Sequence, residues 1–299
     1  MPTVWIVVLN WNGRAFTAAC LRSLRRLTYP RVRVIVVDNG STDGSVESVR
    51  TEFPEVDVVP LERNIGFAAG NNVGIRKALD AGAVYVWLLN NDTEVDPDAL
   101  SLLVAEAEKD PRIGILTPSV TTLSAHSGRG FTGTAVKDLR TDAAAVNRAP
   151  AGFVYRAVFG TAMLVRSGLF LTAGFLDERF FIYYEDDDFS IRAQKAGYLL
   201  VQVPQAKVLH AGSATMGSPQ GVSPAKAYLK ARNRILLVRK HAPARTKWTV
   251  VWRCVSAALN AFRDYRRRGL EAQADAVLAG ILDGLDLVEP LLRPVTPGQ

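Results

Sequence analysis

The stretch Leu88-Leu-Asn-Asn-Asp-Thr-Glu-Val-Asp-Pro97 carries Asp92 two residues beyond an apolar run that reads as a buried strand. A carboxylate at such a strand end can hold Mg2+ or Mn2+ against a diphosphate, because hard cations take oxygen ligands and phosphates fill the remaining positions. The competing reading is an Asx turn leading into the helix after Pro97. Asp96 serves that cap better, which leaves Asp92 for a metal. A second group, Glu185-Asp-Asp-Asp188, follows the aromatic approach Phe180–Tyr184. Four adjacent acids repel one another and raise at least one pKa unless cations or a helix dipole compensate. A helix N-terminus accounts for one or two of them. Asp188 stands four residues before Arg192, the spacing of a structural ion pair. Asp186 points to a different side and suits proton transfer. His210 closes the strand-like stretch Gln205–Leu209, and of the three histidines it alone follows such a run. A lone histidine is more often structural; beside a carboxylate metal site it reads as a ligand. His126 and His241 read as loop and helix-end residues.

Side chains placed this way need strand ends to carry them, and the first half of the chain supplies them by alternation. Strands are expected over Val4–Leu9, Val32–Val37, Val56–Pro60, Val84–Leu89 and Ile113–Leu116. Helices are expected over Arg14–Leu27, Gly44–Glu52, Gly66–Ala81 and Asp98–Glu108. Alternation of this kind implies crossover units and a mostly parallel α/β sheet with helices on both faces. Ligands then sit beyond the carboxyl ends of the strands. Polar residues follow four consecutive strands: Asn10-Trp11-Asn12, Asp38-Asn39-Gly40, Arg63-Asn64 and Asn90-Asn91-Asp92. Residues 117–150, rich in Ser, Thr, Gly and Ala, read as a mobile loop. Beyond it, strands are expected over Val158–Val165 and Tyr198–Val203, and helices over Ser167–Ala173 and Asp186–Ala196. Past Pro224 the pattern is helical, over Ala225–Lys240, Thr246–Arg263 and Glu271–Leu287. The expected organisation is one domain over 1–224, with a nucleotide-binding half at about 1–116 and an acceptor half at about 151–224. A helical region follows over 225–299.

Charge separates the two parts. Residues 1–225 carry a net −1, residues 226–268 a net +12 and residues 269–299 a net −4. The excess belongs to one segment, so an anionic partner meets the chain there. No nucleic-acid motif is present, and nucleic acid is not expected. Trp248, Val251, Trp252, Val255, Leu259 and Phe262 recur at helical spacing beside Arg and Lys. That face suits an anionic membrane surface, or equally a helix packed on the domain or in a homo-oligomer interface. Cys20 and Cys254 cannot build a disulfide framework or a Cys-based zinc site, which points to a reducing compartment. The N-terminus does not read as a signal peptide, and no run is long and apolar enough to span a bilayer. The expected location is cytoplasmic, or peripheral on the inner face of the cytoplasmic membrane. Gly128-Arg-Gly-Phe-Thr-Gly133 fits a dinucleotide pattern but follows no strand, and a P-loop is absent.

At these residues the chain resembles the family-2 inverting glycosyltransferases of GT-A fold, especially bacterial rhamnosyltransferases and galactofuranosyltransferases. The matching stretches include Val7-Val-Leu-Asn-Trp-Asn-Gly13, Val36-Val-Asp-Asn-Gly-Ser-Thr-Asp-Gly-Ser45 and Asn64-Ile-Gly-Phe-Ala-Ala-Gly-Asn-Asn-Val-Gly74. They continue through Leu89-Asn-Asn-Asp-Thr93, Gly160-Thr-Ala-Met-Leu-Val-Arg166, Gly174-Phe-Leu-Asp-Glu-Arg-Phe-Phe181, Tyr184-Glu-Asp-Asp-Asp-Phe-Ser-Ile-Arg192 and Tyr228-Leu-Lys-Ala-Arg-Asn-Arg234. The resemblance implies sugar transfer from a dTDP- or UDP-sugar to a glycan or lipid-linked glycan, aided by Mn2+ or Mg2+. It implies that the Leu9 backbone and the Trp11 indole border the base, that Asp38 accepts from the ring N–H and that Asn64 lines the same pocket. Asn91 reaches the ribose or diphosphate. Asp92 takes the metal end of a DxD-type motif whose first position here is Asn90. His210 joins the metal, and Asp186 is the catalytic base, with Asp187 the neighbouring alternative. Two other classes stay open at this point. A nucleotidyltransferase would usually carry a Gly-rich basic loop after the first strand, which Asn10-Trp-Asn-Gly13 is not. A non-catalytic sugar-nucleotide-binding adaptor would not need Asp38, Asp92, Asp186 and His210 together.

Overall fold

The computed structural model describes residues 1–122, 131–132, 146–149, 153–211 and 222–286. The chain forms two compact units: one of residues 1–145, 156–181 and 185–215, the other of residues 146–155, 182–184 and 216–299.

The first unit is a mixed sheet between two helical layers. Its strands are β1 (Val4–Asn10), β2 (Val32–Asp38), β3 (Asp57–Pro60), β4 (Tyr85–Asn90), β5 (Thr93–Val95), β6 (Ile113–Thr122) and β7 (Phe131–Thr132). In the second unit, β8 (Val146–Ala149) pairs with β9 (Phe153–Arg156), which runs into the first. β10 (Ala162–Arg166) and β11 (Leu199–His210) complete the main sheet, ordered β3-β2-β1-β4-β10-β6-β11-β5, with β7 off β6. β1, β2, β3 and β4 pair in parallel, as crossover connections require; β10 runs antiparallel to both β4 and β6. The helices are α1 (Arg14–Leu24), α2 (Ser45–Glu52), α3 (Phe67–Asp80), α4 (Ala99–Ala107), α5 (Ser167–Ala173) and α6 (Glu185–Lys195). Alternate residues of β1 serve opposite faces. Val4, Ile6 and Val8 pack with Leu21 of α1, Val49 of α2 and Leu100 of α4. Trp5 and Val7 pack with Ile75 of α3, Phe170 of α5 and Phe189 of α6. Helix α3 lies unusually close to the sheet. A Cβ at Gly70 would strike Leu9, and one at Gly74 would strike Val7. Glycine every fourth residue on one helix face is what permits that approach.

Several boundaries differ from the sequence reading. The stretch expected to be two strands is one, β11, interrupted by a register shift between Val203 and Lys207. Pro204 offers no N–H to a ladder, so the strand bulges there and resumes. Thr117–Thr122, expected to begin a loop, continues β6, because β11 supplies a pairing partner as far as His210. The rest of that expected loop lies outside the described residues, apart from the short strands β7 and β8. The strand expected from Val158 begins at Ala162, and the three-residue β5 was not anticipated.

The second unit's helical core consists of α7 (Pro224–His241), α8 (Lys247–Arg267) and α9 (Glu271–Gly284). Ala231, Ile235 and Val238 meet Val251, Cys254 and Val255, with Val277 and Ile281 closing the core. The apolar stripe read on α8 therefore divides. Val251 and Val255 are buried, whereas Trp248 and Trp252 are each 60% exposed. Both cysteines are free and buried. Among the described residues no helix is long and apolar enough to cross a membrane.

Candidate active site

Parallel pairing aligns the carboxyl ends of β1, β2 and β4, placing Asn10 opposite Asp38 and Leu9 opposite Asn90. Asn10 is fully buried and is the hub of this end. Its Nδ2 donates to Asp38 Oδ2 at 2.7 Å and to Ser41 Oγ at 3.2 Å. Its Oδ1 accepts from the Gly13 N–H, from Thr17 Oγ1 at 2.8 Å and from Asn91 Nδ2 at 3.0 Å. Asp38 is buried and accepts from the Ser41 N–H through its other oxygen at 2.8 Å. Asn39, also buried, donates to Asn64 Oδ1 at 3.0 Å and to Gly66 O at 3.1 Å. These bonds hold the loops after β1, β2, β3 and β4 against one another. The sequence reading placed Asn10 and Asn39 among polar strand ends and gave them no further role. Their signal is their type: an asparagine at a buried strand end must find partners for a carbonyl and an amide at once.

The predicted nucleotide residues gather here. Leu9 sits in the sheet between Val37 and Asn90 with its side chain against Gly70, and Trp11 is half-buried just beyond it. Asn64 is held by Asn39. The Asn91 amide nitrogen faces inward, toward Asn10 and Thr17, and a Cβ at Gly13 would strike it. Asn90 differs from all of these. Its Oδ1 is buried and has no hydrogen-bond partner among the described residues, a state that buried polar atoms seldom keep without a ligand or water.

Asp92 and His210, far apart in sequence, meet because β5 pairs with the end of β11. Thr93 stands opposite His210, and the Ala211 N–H donates to Asp92 O at 2.8 Å. His210 Nε2 lies 3.1 Å from Asp92 Oδ1. A separation of about 3 Å is a direct contact between the two groups and is also the spacing of neighbouring ligands on an octahedral ion, so the pair fits a divalent cation by donor type and proximity. One carboxylate and one imidazole suit Mn2+, and a divalent ion bound against a substrate diphosphate needs few protein ligands. Among the described residues no cluster of three or more His, Cys, Asp or Glu surrounds a common point.

Asp186 opens α6. Its Oδ2 accepts from the Gly160 N–H at 2.8 Å and its Oδ1 from the Asp187 N–H at 2.9 Å. Burial pushes its pKa upward, and those N–H groups partly oppose the push. The next residue after Gly160 matters too, because Thr161 O accepts from the Asn90 N–H at 3.0 Å. Two consecutive residues thus connect the end of β4 to the Asp186 carboxylate. Asp188 is fully buried and takes the Arg192 Nε at 2.8 Å, as its spacing implies. Arg192 continues to the carbonyls of Ala173 and Phe175, fixing α6 to the end of α5. Glu185 is 4% exposed, and its Oε2 has no hydrogen-bond partner among the described residues. Burial first, then the charges of Asp186, Asp187 and Asp188, push it well above the ordinary glutamate range.

The sequence profile of glycosyl transferase family 2 matches residues 5–126, and that of glycosyl transferase family group 2 matches residues 85–263. The N-acetylglucosaminyl-diphospho-decaprenol L-rhamnosyltransferase of Mycobacterium tuberculosis is 30% identical over 236 residues, covering 69% of this chain and 75% of that protein. The dTDP-rhamnosyl transferase RfbF of Shigella flexneri is 26% identical over 246 residues, covering 80% and 81%. Among solved structures, a mannosyltransferase from Pyrobaculum calidifontis in complex with GDP-Man and Mn2+ superimposes with a TM-score of 0.60 at 17% identity, over 95% of this chain and 87% of that one. GalNAc-T7 with UDP, GalNAc and Mn2+ gives 0.62 at 18% identity, over 80% and 48%. The nucleotidyltransferase and adaptor readings give way to these matches. With a relative 30% identical over more than two thirds of both chains and the fold of GT-A glycosyltransferases, the chain is a member of glycosyltransferase family 2.

Proposed function

We propose that the protein is an inverting transferase that moves L-rhamnose from dTDP-rhamnose to a hydroxyl of a lipid-linked glycan. The observation that carries this reading is the connection through Gly160 and Thr161, which ties the Asn90–Asp92 strand end to the half-buried Asp186. The two rhamnosyl relatives support the sugar and, between them, the dTDP donor and the diphospho-lipid acceptor. Galactofuranose and a UDP-sugar are the alternatives to be read from the same assay.

Trp11 and the Leu9 backbone border the base, Asp38 accepts from its ring N–H, and Asn64 and Asn91 shape the pocket around the ribose. Asn90 Oδ1 would take a donor hydroxyl or a cation. Asp92 and His210 would hold a divalent ion, which when bound would offset negative charge on the leaving diphosphate. Asp186 takes the proton from the acceptor hydroxyl as its oxygen bonds to the anomeric carbon. The bond from that carbon to the diphosphate oxygen breaks on the opposite face, its electron pair leaving with the nucleotide. A raised pKa makes Asp186 a stronger base than an exposed carboxylate, and the Gly160 and Asp187 N–H groups aim it. Asp187 is the neighbouring alternative.

The exposed Trp248 and Trp252, with Arg245 and Lys247 nearby in a strongly basic segment, support peripheral attachment to an anionic bilayer. Tryptophan at a bilayer interface contributes through its amphipathic ring, so a Trp248→Ala, Trp252→Ala double variant should float less with phosphatidylglycerol vesicles.

The test of the activity is product formation from a panel of dTDP- and UDP-sugars with a synthetic diphospho-lipid acceptor, with Mn2+ or with EDTA. Transfer of rhamnose with inverted configuration, lost with EDTA and reduced about 10²-fold or more in Asp92→Ala, is expected. Retained anomeric configuration, or full activity in EDTA, would overturn the mechanism.

A further inference from the structure

Helix α7 carries six Lys or Arg and no Asp or Glu along Pro224–His241. That charge is treated differently on its two sides. On one, Arg239 pairs with Asp286 at 2.5 Å and donates to Gly284 O. Arg232 lies over the Tyr228 ring, whose hydroxyl donates to Asp283. On the other, Lys226, Lys230 and Arg234 follow at four-residue steps, so they line one face with a rise of about 6 Å between successive positions. Among the described residues none of these three has a carboxylate partner. Lys230 is held below the ordinary lysine range, first by desolvation and then by repulsion from Lys226 and Arg234. Like charges at this spacing repel one another and destabilise a helix.

What lies against this face is specific. The Lys226 and Lys230 ammonium groups stand 5.9 Å and 5.8 Å from the centre of the Tyr183 ring. Arg234 Nε donates to Tyr184 Oη at 3.1 Å. Both tyrosines have φ of +74°, a left-handed conformation that bulky residues rarely adopt. Asn233, fully buried on α7, holds them there by donating to Ile182 O and Tyr183 O, each at 2.9 Å. Strain of this kind persists where the surrounding structure over-determines it. The result is two phenol groups fixed against three cations that have no carboxylate partner among the described residues.

We propose that Lys226, Lys230 and Arg234, with Tyr183 and Tyr184, form a subsite for a diphosphate, namely the one that joins the first sugar of the acceptor to its lipid. The inference rests on the lipid-linked acceptor reading above. Two ammonium groups and a guanidinium neutralise phosphoryl oxygens, and the tyrosines against them hold those cations in place. Along the chain Tyr184 precedes Asp186 by two residues, a Cα reach of at most about 7 Å. In an acceptor of this class the attacking hydroxyl and the diphosphate are carried by the same sugar, so the anchor and the base are required within a short reach of each other.

The experiment is calorimetric binding to the full-length protein of three probes: N-acetylglucosaminyl-diphospho-farnesol, octyl N-acetylglucosaminide, which lacks phosphate, and dTDP with Mn2+. Lys226→Gln with Lys230→Gln should raise Kd for the diphospho-lipid about tenfold or more, while the octyl glycoside and dTDP change by less than about twofold. The single Lys230→Gln variant alters one exposed side chain, cannot plausibly unfold the helix, and should show part of the same loss. Unchanged diphospho-lipid binding in the double variant, or no binding by the wild-type protein, overturns the subsite. An equal loss of dTDP binding also overturns it, since the cations would then serve the donor. Wild-type protein that neither binds nor hydrolyses any nucleotide-sugar would overturn the functional reading instead, whatever the diphospho-lipid result.

Discussion

The strand-end network around Asn10 and the first turn of α6 are both buried, both polar and both in the first unit, yet they are built on opposite terms. Around Asn10 the amides of Asn10, Asn39 and Asn91 and the Asp38 carboxylate meet complementary groups, and the loops after four strands become one frame. In α6, four acids follow one another; Asp188 takes the Arg192 guanidinium within the helix, and Arg192 in turn holds the end of α5. Glu185 has an oxygen with no partner among the described residues, and Asp186, half-buried, has two backbone N–H groups for compensation. Saturated polar groups fix shape at little electrostatic cost; uncompensated ones hold a pKa away from its ordinary value, and that is what proton transfer uses.

The sharpest way to break this contrast is Asp186→Asn. It should fold and bind donor but lose about 10²–10⁴-fold in transfer rate, the range of general-base catalysis. In the wild type, the acid limb of kcat/KM should lie above the ordinary aspartate pKa, because the raised carboxyl group must be deprotonated to act. A comparable loss in Asp187→Asn with Asp186→Asn active would move the base by one residue. Asp188→Ala, in contrast, should act on stability. It leaves Arg192 without its carboxylate and costs about 3–5 kcal/mol in urea unfolding. Asn10→Ala should cost less, about 1–3 kcal/mol for the buried groups it orphans, and should weaken nucleotide binding through the displaced Asp38. Glu185→Gln has the smallest effect and the opposite sign. The fold favours protonated Glu185, so its contribution is present below the ordinary glutamate pKa and is lost as pH rises through the raised value. The variant should therefore melt above the wild type at pH 8, and the gap should narrow toward pH 5. A gap that widens on acidification would show that Glu185 is held charged.

The alternating elements of residues 1–116 were legible because each is local. Val4–Asn10 and Val32–Asp38 are continuous apolar runs closed by polar residues, and Phe67–Asp80 has helical spacing. The same holds for Asp188 and Arg192, whose pairing needs only one helical turn. Three features were not legible. The extension of β6 over Thr117–Thr122 depends on a partner some eighty residues away, since Ser- and Thr-rich sequence has no strong preference of its own. The division of the α8 stripe into buried Val251 and Val255 and exposed Trp248 and Trp252 depends on where α7 and α9 lie. Asn10 reads as one polar residue among many until the loops that converge on it are in place.

Residue type and spacing alone determined which groups are suited to chemistry: Asp92 at a strand end, Asp186 in an acid turn, His210 after an apolar run. Periodicity determined the layers that carry them. Tertiary structure decided which of these groups meet. The pairing of β5 with β11 sets His210 against Asp92, and the Gly160–Thr161 connection joins the end of β4 to Asp186. The physical reason is that side-chain chemistry and local periodicity are written within a few residues. Contact between distant residues is a property of strand pairing and packing across the whole chain.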